Sequence, residues 1–288
     1  MDFPKKATIV EVMPRDGLQS WHTHIPTKNK SSIIDKLSKT GIRQLEVTSF
    51  VPPNLIPQFQ DARDIIEHLP KNNVIDYRVL VPNSKGAELA IEAGCNHLLG
   101  FVSCSETYSM KNQNKTIREN LDEINKIINL TQKEGIKLTI GLTNAFHCNF
   151  EGTIASDVVY KVFRELYKNG VRFFYLGATT GVANPRQVYE RLRYLKSNYL
   201  DAEIGLHLHD LNGFAYANIL AALQAGVTLF ESSLLGIGGG IVKSSQPTPG
   251  NISTSTLVHF LHSMNIDTGI DEDKLKFYED EIKELIYY

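Results

Sequence analysis

The composition of the chain is that of a globular protein with enough residues for a large core. It has 288 residues, of which 42% are hydrophobic and 22% charged, with a formal net charge of −2. Acids and bases are interspersed, which gives no reason to expect a nucleic-acid or anionic-membrane partner. No apolar run approaches the roughly 20 residues needed to span a bilayer.

The N-terminal segment and the cysteines indicate an intracellular compartment. The opening stretch MDFPKKATIVEV lacks the long apolar region of a signal peptide and leads directly into a strand-like run. The three cysteines, Cys95, Cys104 and Cys148, show no CxxC spacing and cannot all pair with one another. We therefore expect a protein of the reducing cytoplasm.

The chain repeats a pattern of strand, turn and helix. Short apolar runs alternate with segments in which apolar residues recur at helical spacing, such as Ile33, Ile34 and Leu37. Eight strands are predicted, in chain order, at 7–13, 43–50, 76–82, 97–103, 137–143, 172–178, 203–209 and 228–236. Helices are predicted after them, at 27–41, 60–69, 84–94, 116–134, 155–170, from Pro185 onward, 213–226 and 253–265.

Eight such units favour a closed parallel barrel of the (β/α)8 or TIM type. Several helices end at a glycine and the next strand follows almost at once, as after Gly41. An open, doubly wound sheet is the alternative. We expect one catalytic domain over 1–288, with the barrel at about 7–265 and an extra C-terminal helix at about 271–286. That helix ends in LIYY, which indicates either a homodimer contact or a cover for the barrel.

The most informative motif lies at the end of the seventh predicted strand. Active sites of such barrels occur at the C-terminal ends of the strands, so polar residues there are candidates for function. In GLHLHDLNG, His207 and His209 share one face of the strand, whereas Leu206 and Leu208 share the other. Two histidines in this position indicate a pair of ligands for one metal ion, although histidines on strands also serve as hydrogen-bonded structural residues.

Other strand ends supply further metal ligands. Asp16 follows the first strand, and Asn251 follows a glycine-rich loop after the eighth. Carboxylate, imidazole and amide ligands without a thiolate suit Mg²⁺ or Mn²⁺ better than structural zinc. Such an ion would act as a Lewis acid on a chelating oxygen substrate. The alternatives are a helix or loop cap for Asp16 and a helix N-cap for Asn251.

Next to Asp16, Arg15 is suited to stabilising a developing enolate or a carboxylate, because its planar guanidinium holds oxyanions well. It could equally form a salt bridge with Glu46 on the adjacent strand. Asp16 and His207 could also serve as the proton acceptor in the reaction.

Several motifs occur in an order that resembles a known enzyme family. They are VEVMPRDGLQ, LEVTSFVPP, SETYSMKNQNKTI, LGATTGV, GLHLHDLNGFAYANILAALQAGV and GIGGG…GN. Together they resemble the 3-hydroxy-3-methylglutaryl-CoA lyase family, one of the pyruvate carboxyltransferase-like metal-dependent TIM-barrel lyases. The resemblance extends over nearly the whole chain.

The resemblance implies a retro-Claisen cleavage of a 3-hydroxy acid, or of its acyl-CoA thioester, to an enolate and a keto product. By the same resemblance, the ligands of a divalent metal, Mg²⁺ or Mn²⁺, are Asp16, His207, His209 and Asn251. The resemblance implies that Arg15 is the catalytic arginine and Glu46 a supporting acid beside it. With the two possible proton acceptors Asp16 and His207, they are the predicted catalytic residues. We predict substrate contacts from Gln19, Thr179, Gly239 and Gly240.

The chain also departs from the family pattern at two positions. The lyases have a cysteine, implicated in the final proton transfer, where this chain has Gly240, and the loop that follows is about two residues longer here. The aspartate of their LGDT motif is replaced by Ala178. His147, next to Cys148, is a conceivable replacement acid, and Lys243 could reach an acidic group of the substrate.

These observations favour a working carbon–carbon lyase with a small hydroxy-acid or acyl-CoA substrate, no nucleic-acid or membrane partner, and a possible homodimer. Because Gly240 cannot donate a proton, the substrate is expected to differ from the family's usual one. The alternatives are a condensing synthase or aldolase of the same superfamily, and a metal- or ligand-binding barrel with impaired catalysis.

Overall fold

Eight parallel strands close into a barrel in the computed structural model, which describes residues 3–71, 74–240, 242 and 249–287. The barrel strands are β1 (Thr8–Glu11), β2 (Gln44–Ser49), β3 (Asp76–Leu80), β4 (His97–Ser103), β5 (Lys137–Thr143), β8 (Phe173–Ala178), β9 (Glu203–Leu208) and β10 (Leu229–Ser232). They pair in chain order, and β10 pairs with β1 to close the ring. The predicted TIM barrel is confirmed, and the open-sheet alternative is wrong. Lys243 lies outside the described residues.

Helices follow the barrel strands and cover the outside of the ring. They are α1 (Thr27–Ser38), α2 (Ala62–Glu67), α3 (Ser84–Glu92), α4 (Glu106–Gln113), α5 (Ile117–Glu134), α6 (Ser156–Lys168), α7 (Pro185–Asn198), α8 (Ala215–Gln224), α9 (Thr254–Ser263) and α10 (Glu272–Tyr287). Local sequence sets several starts: Thr116 and Glu119 form a capping box at α5, and Asn184 and Gln187 form another at α7. Within the described ranges, no helix is long and apolar enough to cross a membrane.

The C-terminal helix α10 confirms the predicted extra element. It packs against α1 and α9, and it buries Leu275, Ile282 and Ile286. The ring of Tyr287 meets the Trp21 ring edge-on at 5.0 Å. The helix therefore packs on the outer helices of the barrel, which agrees with the expectation of a cover. A dimer contact through this helix stays a prediction.

The strands β1 and β10 end earlier than the sequence pattern indicates, for reasons that shape the site. β1 ends at Glu11 because the chain then closes into a wide helical turn, Met13–Gly17. The Glu11 carboxylate accepts hydrogen bonds from the backbone N–H groups of Met13 (2.8 Å) and Leu234 (2.9 Å). β10 ends at Ser232, and the chain turns through Leu235, which has a φ of 65°.

Two elements have no counterpart among the predicted ones. The helix α4 lies between β4 and α5, and a short antiparallel hairpin follows β5. Its strands are β6 (His147–Cys148) and β7 (Gly152–Thr153). Both elements occur in connections after the C-terminal ends of barrel strands, where sequence periodicity is short and weak.

At Gly205 of β9, neighbouring side chains leave no room for a side chain. A Cβ atom there would lie 2.4 Å from Cε1 of Tyr175 and 3.1 Å from Cδ2 of Leu229. At Gly141 of β5, by contrast, the nearest atom to an added Cβ would be Phe101 Cβ, at 3.8 Å. Neither glycine has a positive φ, so only the available space distinguishes the two positions.

We therefore expect Gly205→Ala to lower the free energy of unfolding by about 1–3 kcal/mol, the usual effect of overpacking. The matched variant Gly141→Ala should stay within about 0.5 kcal/mol of the wild type. Urea unfolding followed by circular dichroism measures both. Equal losses of stability in the two variants would show that the interior at Gly205 is not tightly packed.

Candidate metal centre and active site

Three candidate ligands converge at the C-terminal end of the barrel. Asp16, His207 and His209 each offer one ligand atom, and these atoms all lie within 4.8 Å of one another. The Nε2 atoms of His207 and His209 are 2.8 Å apart. Asp16 comes from the turn after β1, whereas the histidines come from β9 and the residue that follows it.

The second nitrogen of each histidine faces an oxygen outside the cluster, so both Nε2 atoms are turned toward the shared centre. For His209 the contact is a hydrogen bond, and for His207 it is a close ion-pair contact whose geometry is not that of a hydrogen bond. His209 Nδ1 lies 3.0 Å from the carbonyl oxygen of Pro249, and His207 Nδ1 lies 2.7 Å from Glu231 Oε2. Such outer contacts fix the tautomer and ring orientation of metal-binding histidines. Burial and the neighbouring His207 lower the pKa of His209 to about 4, so His209 is neutral at pH 7.

Asp16 is held as a carboxylate by its neighbours. Its Oδ1 accepts hydrogen bonds from Arg15 Nη1 (2.7 Å) and Gln19 Nε2 (2.8 Å), and its Oδ2 accepts one from Asn251 Nδ2 (2.6 Å). Burial raises the pKa of Asp16, but the charge of Arg15 and the two histidines more than offset this and bring the pKa to about 2. The side chain is therefore an anion at neutral pH, as a ligand must be.

The Asn251 side chain gives a direct test of whether the site fits a cation. Its Nδ2 also donates to the Ile237 carbonyl (3.0 Å), but its buried Oδ1 has no hydrogen-bond partner among the described residues. An unpaired buried carbonyl costs free energy, and a cation would satisfy it. One carboxylate, two imidazoles and one amide oxygen fit Mg²⁺ or Mn²⁺. The alternative of an Asn251 cap is wrong, since Ser253 caps α9.

Arg15 lies at one end of a chain of buried ion pairs. Its guanidinium contacts Glu46, whose Oε2 accepts from Arg78 Nε at 3.0 Å. Arg78 also pairs with Glu231, which in turn contacts His207. The predicted salt bridge of Arg15 with Glu46 is thus present. The network links Arg15 to the histidine pair through the barrel interior.

Sequence reasoning missed Arg78 and Glu231, although each carries a signal. Both are charges within apolar strand runs, DYRVLVP and TLFESSLLG, and buried charges must be paired. Their partners follow from strand register, because Glu231 lies beside His207 and Arg78 lies beside Glu46.

A cavity of about 350 Å³ opens over these residues. Its polar floor includes Arg15, Asp16, His207 and His209. Its wall is largely apolar and includes Val51, Leu55, Phe59, Leu80, Leu99, Phe101 and Leu142. A small molecule with an apolar part and an oxygen-rich head would match this surface.

The predicted substrate-binding residues occupy different positions around the cavity. Gln19, Thr179 and Gly240 line it, and Thr179 Oγ1 also accepts a hydrogen bond from the Asn144 backbone at 2.9 Å. Gly239 is not among the lining residues, but its carbonyl oxygen accepts from Gln19 Nε2 at 3.1 Å. Gln19 thereby ties the glycine-rich loop to Asp16.

Comparison with known proteins identifies the family. The HMGL-like family model matches residues 6–282. The chain is 38% identical over 275 residues to the hydroxymethylglutaryl-CoA lyase YngG of Bacillus subtilis, covering 96% of this chain and 91% of that protein. The chain belongs to the HMGL-like family. The predictions of this family and of a carbon–carbon lyase are confirmed.

Solved structures of relatives agree with this family assignment. The crystal structure of the Bacillus subtilis HMG-CoA lyase superposes with a TM-score of 0.94 at 37% identity, covering 100% of this chain and 96% of that one. An HMG-CoA lyase from Acinetobacter baumannii, in complex with coenzyme A and 3-methylmalate, gives a TM-score of 0.94 at 32% identity. That match covers 100% of this chain and 93% of the other.

Within this HMGL-like chain, the acid suggested by the sequence does not reach the cavity. His147 Nδ1 lies 3.2 Å from Thr180 Oγ1, and His147 is not among the cavity-lining residues. Cys148 is fully buried, and its sulfur accepts a hydrogen bond from Ser105 Oγ at 3.0 Å. The hypothesis of His147 as a replacement acid therefore has no support from the geometry.

A residue that sequence reasoning missed does line the cavity. Tyr108, in α4, lies on the wall next to Gly240. Burial, with smaller contributions from the nearby Asp16 and Cys148, raises the pKa of its hydroxyl to about 12, so the group is protonated at neutral pH. Tyr108 stands in SETYSMKNQNKTI, but only the placement of α4 reveals that it reaches the site.

The Glu231 carboxylate predicts how stability depends on pH. Burial raises the pKa of Glu231, but the effect of Arg78 and His207 is larger and brings the pKa from 4.5 down to about 2. The unfolded chain therefore binds more protons between these values, so the resulting stability is complete above pH 4.5 and is lost as the pH falls toward 2. We expect a loss on the order of 3 kcal/mol over this range.

Urea unfolding measured at several pH values between 6 and 2.5 tests this dependence. The Glu231→Gln variant should be less stable throughout but should lose less with acidification, because it cannot take up this proton. A decline of the same steepness in both proteins would contradict the role of Glu231.

Proposed function

We propose that the protein is a divalent-metal-dependent lyase that cleaves a 3-hydroxyacyl-CoA thioester of the 3-hydroxy-3-methylglutaryl-CoA type by a retro-Claisen reaction. The observation that carries the proposal is the Asp16, His207 and His209 cluster beside the unpaired Asn251 Oδ1, next to Arg15 on the cavity floor. Further support comes from the relatives named hydroxymethylglutaryl-CoA lyase and from the coenzyme A and 3-methylmalate in one related structure.

In this proposal, Asp16, His207, His209 and Asn251 hold one Mg²⁺ or Mn²⁺ ion. When bound, the ion supplies a Lewis acid that polarises the hydroxyl and the carboxylate end of the substrate. Arg15 and Gln19 hold the Asp16 carboxylate in place, with hydrogen bonds of 2.7 and 2.8 Å to its Oδ1. Preorganised ligands of this kind avoid the cost of ordering them during binding.

The residues of the chain divide the remaining chemistry between them. Two groups on the cavity floor are proposed as acceptors of the proton of the substrate hydroxyl. They are the carboxylate of Asp16 and, in a state in which its Nε2 is not bound to the ion, the imidazole of His207. The bond between C2 and C3 then breaks, the hydroxyl oxygen becomes the carbonyl of the keto product, and the electron pair passes to the thioester as an enolate. The Arg15 guanidinium is placed to stabilise the enolate oxygen.

Glu46 is a positioning residue in this scheme. It is completely buried, it is not among the lining residues of the cavity, and it contacts Arg15 on one side and Arg78 on the other. Gln19, Thr179, Gly239 and Gly240 are assigned to substrate binding. We further propose that residues 1–288 form one catalytic domain. Cytoplasmic location and a homodimer remain predictions.

Neither alternative function is favoured by a specific observation. A barrel that only binds a metal has no need for Arg15, Glu46 and Arg78 to be assembled as a buried network. The relatives that match over nearly the full chain are named lyases, not synthases.

The proposed function is tested by incubating the purified protein with 3-hydroxy-3-methylglutaryl-CoA and Mg²⁺ or Mn²⁺. Formation of acetyl-CoA and acetoacetate in equal amounts, stopped by chelation with EDTA and restored by Mn²⁺, is the expected result. Homologous thioesters with a longer or absent C3 substituent should be assayed in parallel, because Gly240 in place of the family's cysteine predicts a substrate that differs from the usual one. Failure to cleave any of these thioesters, with the metal bound, would overturn the proposal.

A further inference from the structure

The retro-Claisen reaction ends with the protonation of an enolate, and this step needs an acid in the cavity. Among the described lining residues, Asp16, His207 and His209 form the candidate metal site, and Glu231 pairs with Arg78 and His207. Arg15 keeps its proton too firmly to act as an acid. Two further lining residues carry an ionisable proton: Lys115 pairs with Glu123 at 3.9 Å, and the Tyr175 ring lies against the guanidinium of Arg78. The phenol of Tyr108 is the remaining ionisable donor among these lining residues.

Tyr108 stands where a donor on the glycine-rich loop would otherwise project. Apart from its chain neighbours, the one atom of the described residues within 4 Å of a Cβ built on Gly240 is the hydroxyl oxygen of Tyr108, at 3.3 Å. Gly240 does not have a positive φ, so its backbone would accept a side chain. The Tyr108 hydroxyl and a side chain at position 240 thus compete for the same part of the cavity.

The two backbone segments next to this hydroxyl, in α4 and in the glycine-rich loop, are both held by hydrogen bonds. On the helix side, the Ser105 hydroxyl accepts a hydrogen bond from the Tyr108 backbone N–H at 3.1 Å and caps α4. On the loop side, Gln19 bridges the carbonyl of Gly239 (3.1 Å) and Asp16 Oδ1 (2.8 Å), which places Gly240 beside the candidate metal ligands. The phenol therefore lines the same cavity as the candidate metal ligands Asp16, His207 and His209.

We propose that Tyr108 is the catalytic acid that protonates the enolate. The inference rests on the proposed function and adds a residue to it. The phenolic O–H bond breaks, its proton forms the new C–H bond at C2, and the enolate electron pair becomes that bond. The products are the acyl-CoA and a Tyr108 phenolate, which regains a proton from water at the cavity mouth.

The first test is the variant Tyr108→Phe, which removes the hydroxyl and keeps the ring. We expect kcat for thioester cleavage to fall by about 10²-fold or more, the usual contribution of a general acid. KM and Mn²⁺ affinity should change by less than about threefold, because the phenol binds neither partner in this scheme. Cleavage by Tyr108→Phe at the wild-type rate would overturn the assignment.

A direct readout of the proton step separates it from bond cleavage. In D₂O, the wild type with Mn²⁺ should exchange the methyl protons of acetyl-CoA, and Tyr108→Phe should lose this exchange to a similar degree. Absence of both exchange and cleavage in the wild type would instead overturn the proposed function itself. Wild-type exchange that persists in Tyr108→Phe would overturn the role of Tyr108 alone.

A rescue variant excludes a merely structural role. Because the hydroxyl is gone in Tyr108→Phe, the added substitution Gly240→Cys has room for its thiol. We expect kcat of this double variant to be at least about tenfold higher than that of Tyr108→Phe. The matched control Tyr108→Phe/Gly240→Ala fills the same space without a donor and should not be rescued. No gain from the thiol over the alanine would count against the proposal.

The rescued protein should also have a distinct pH profile. Its rate should fall as the thiol ionises near about pH 8.5. The wild-type phenol stays protonated there, because burial raises its pKa to about 12. Two ionisable groups act on the Tyr108 hydroxyl, Asp16 from the loop after β1 and Cys148 from β6. Iodoacetamide should inactivate the rescued protein selectively, since Cys95, Cys104 and Cys148 are all buried. Identical pH profiles in the two proteins would contradict the exchange of one donor for the other.

Discussion

Replacing His209 with glutamine is expected to abolish tight Mn²⁺ binding and to lower kcat by about 10³-fold or more. The imidazole Nε2 lies 2.8 Å from that of His207, and Nδ1 is committed to the Pro249 carbonyl. Glutamine offers a carbonyl oxygen on a flexible chain and cannot reproduce this fixed nitrogen. A factor of 10³ corresponds to ~4 kcal/mol, within the several kcal/mol that a Lewis acid contributes to transition-state stabilisation.

The experiment compares His209→Gln with the same substitution at His259. His259 is exposed on α9, pairs with Glu272, and is not among the lining residues of the cavity. Electron paramagnetic resonance of free Mn²⁺ measures binding, and acetyl-CoA release measures the rate. His259→Gln should behave like the wild type in both. Normal Mn²⁺ affinity in His209→Gln would show that the ion binds elsewhere.

Replacing Arg78 with methionine is expected to cause the largest loss of stability, about 3–5 kcal/mol. Arg78 is 1% exposed, pairs with Glu46 and Glu231, and lies over the Tyr175 ring with its guanidinium carbon 4.7 Å from the centroid. Its removal leaves two buried carboxylates with one cationic partner fewer. An uncompensated buried charge is far more costly than a lost surface pair.

Arg63→Met is the matched control for this variant. Arg63 pairs with Glu92 at 3.0 Å, but both side chains are more than half exposed, so a loss of about 0–1 kcal/mol is expected. Adding Glu231→Gln to Arg78→Met should recover part of the stability, because it removes one of the stranded charges. Equal urea midpoints for Arg78→Met and Arg63→Met would contradict the structural importance of the network.

The barrel could be predicted from the sequence because each strand is a short apolar run followed by a segment with helical periodicity. Each of the eight predicted strands is a strand in the structure, and its ends lie within about four residues of the predicted ones. The early endings at Glu11 and Ser232 depend on tertiary contacts instead. Glu11 binds the backbone of Leu234, which is more than 200 residues away, and no local pattern encodes that contact.

The candidate site, too, is predicted only where local sequence determines geometry. His207 and His209 could be predicted because two residues separated by one position on a strand point to the same face. Arg78, Glu231 and Tyr108 were not, because each acquires its role from a neighbour on another element. Glu231 requires the register with His207, and Tyr108 requires the position of α4 over the loop at Gly240.

The central claim is that one divalent ion, held at the C-terminal end of the barrel, is required for carbon–carbon cleavage. The most direct test titrates metal-free protein with Mn²⁺ while bound ion and acetyl-CoA release from 3-hydroxy-3-methylglutaryl-CoA are measured in the same samples. We predict that the rate rises in proportion to bound Mn²⁺ and levels off at a single ion per chain. Cleavage by the metal-free protein at the full rate would contradict the claim.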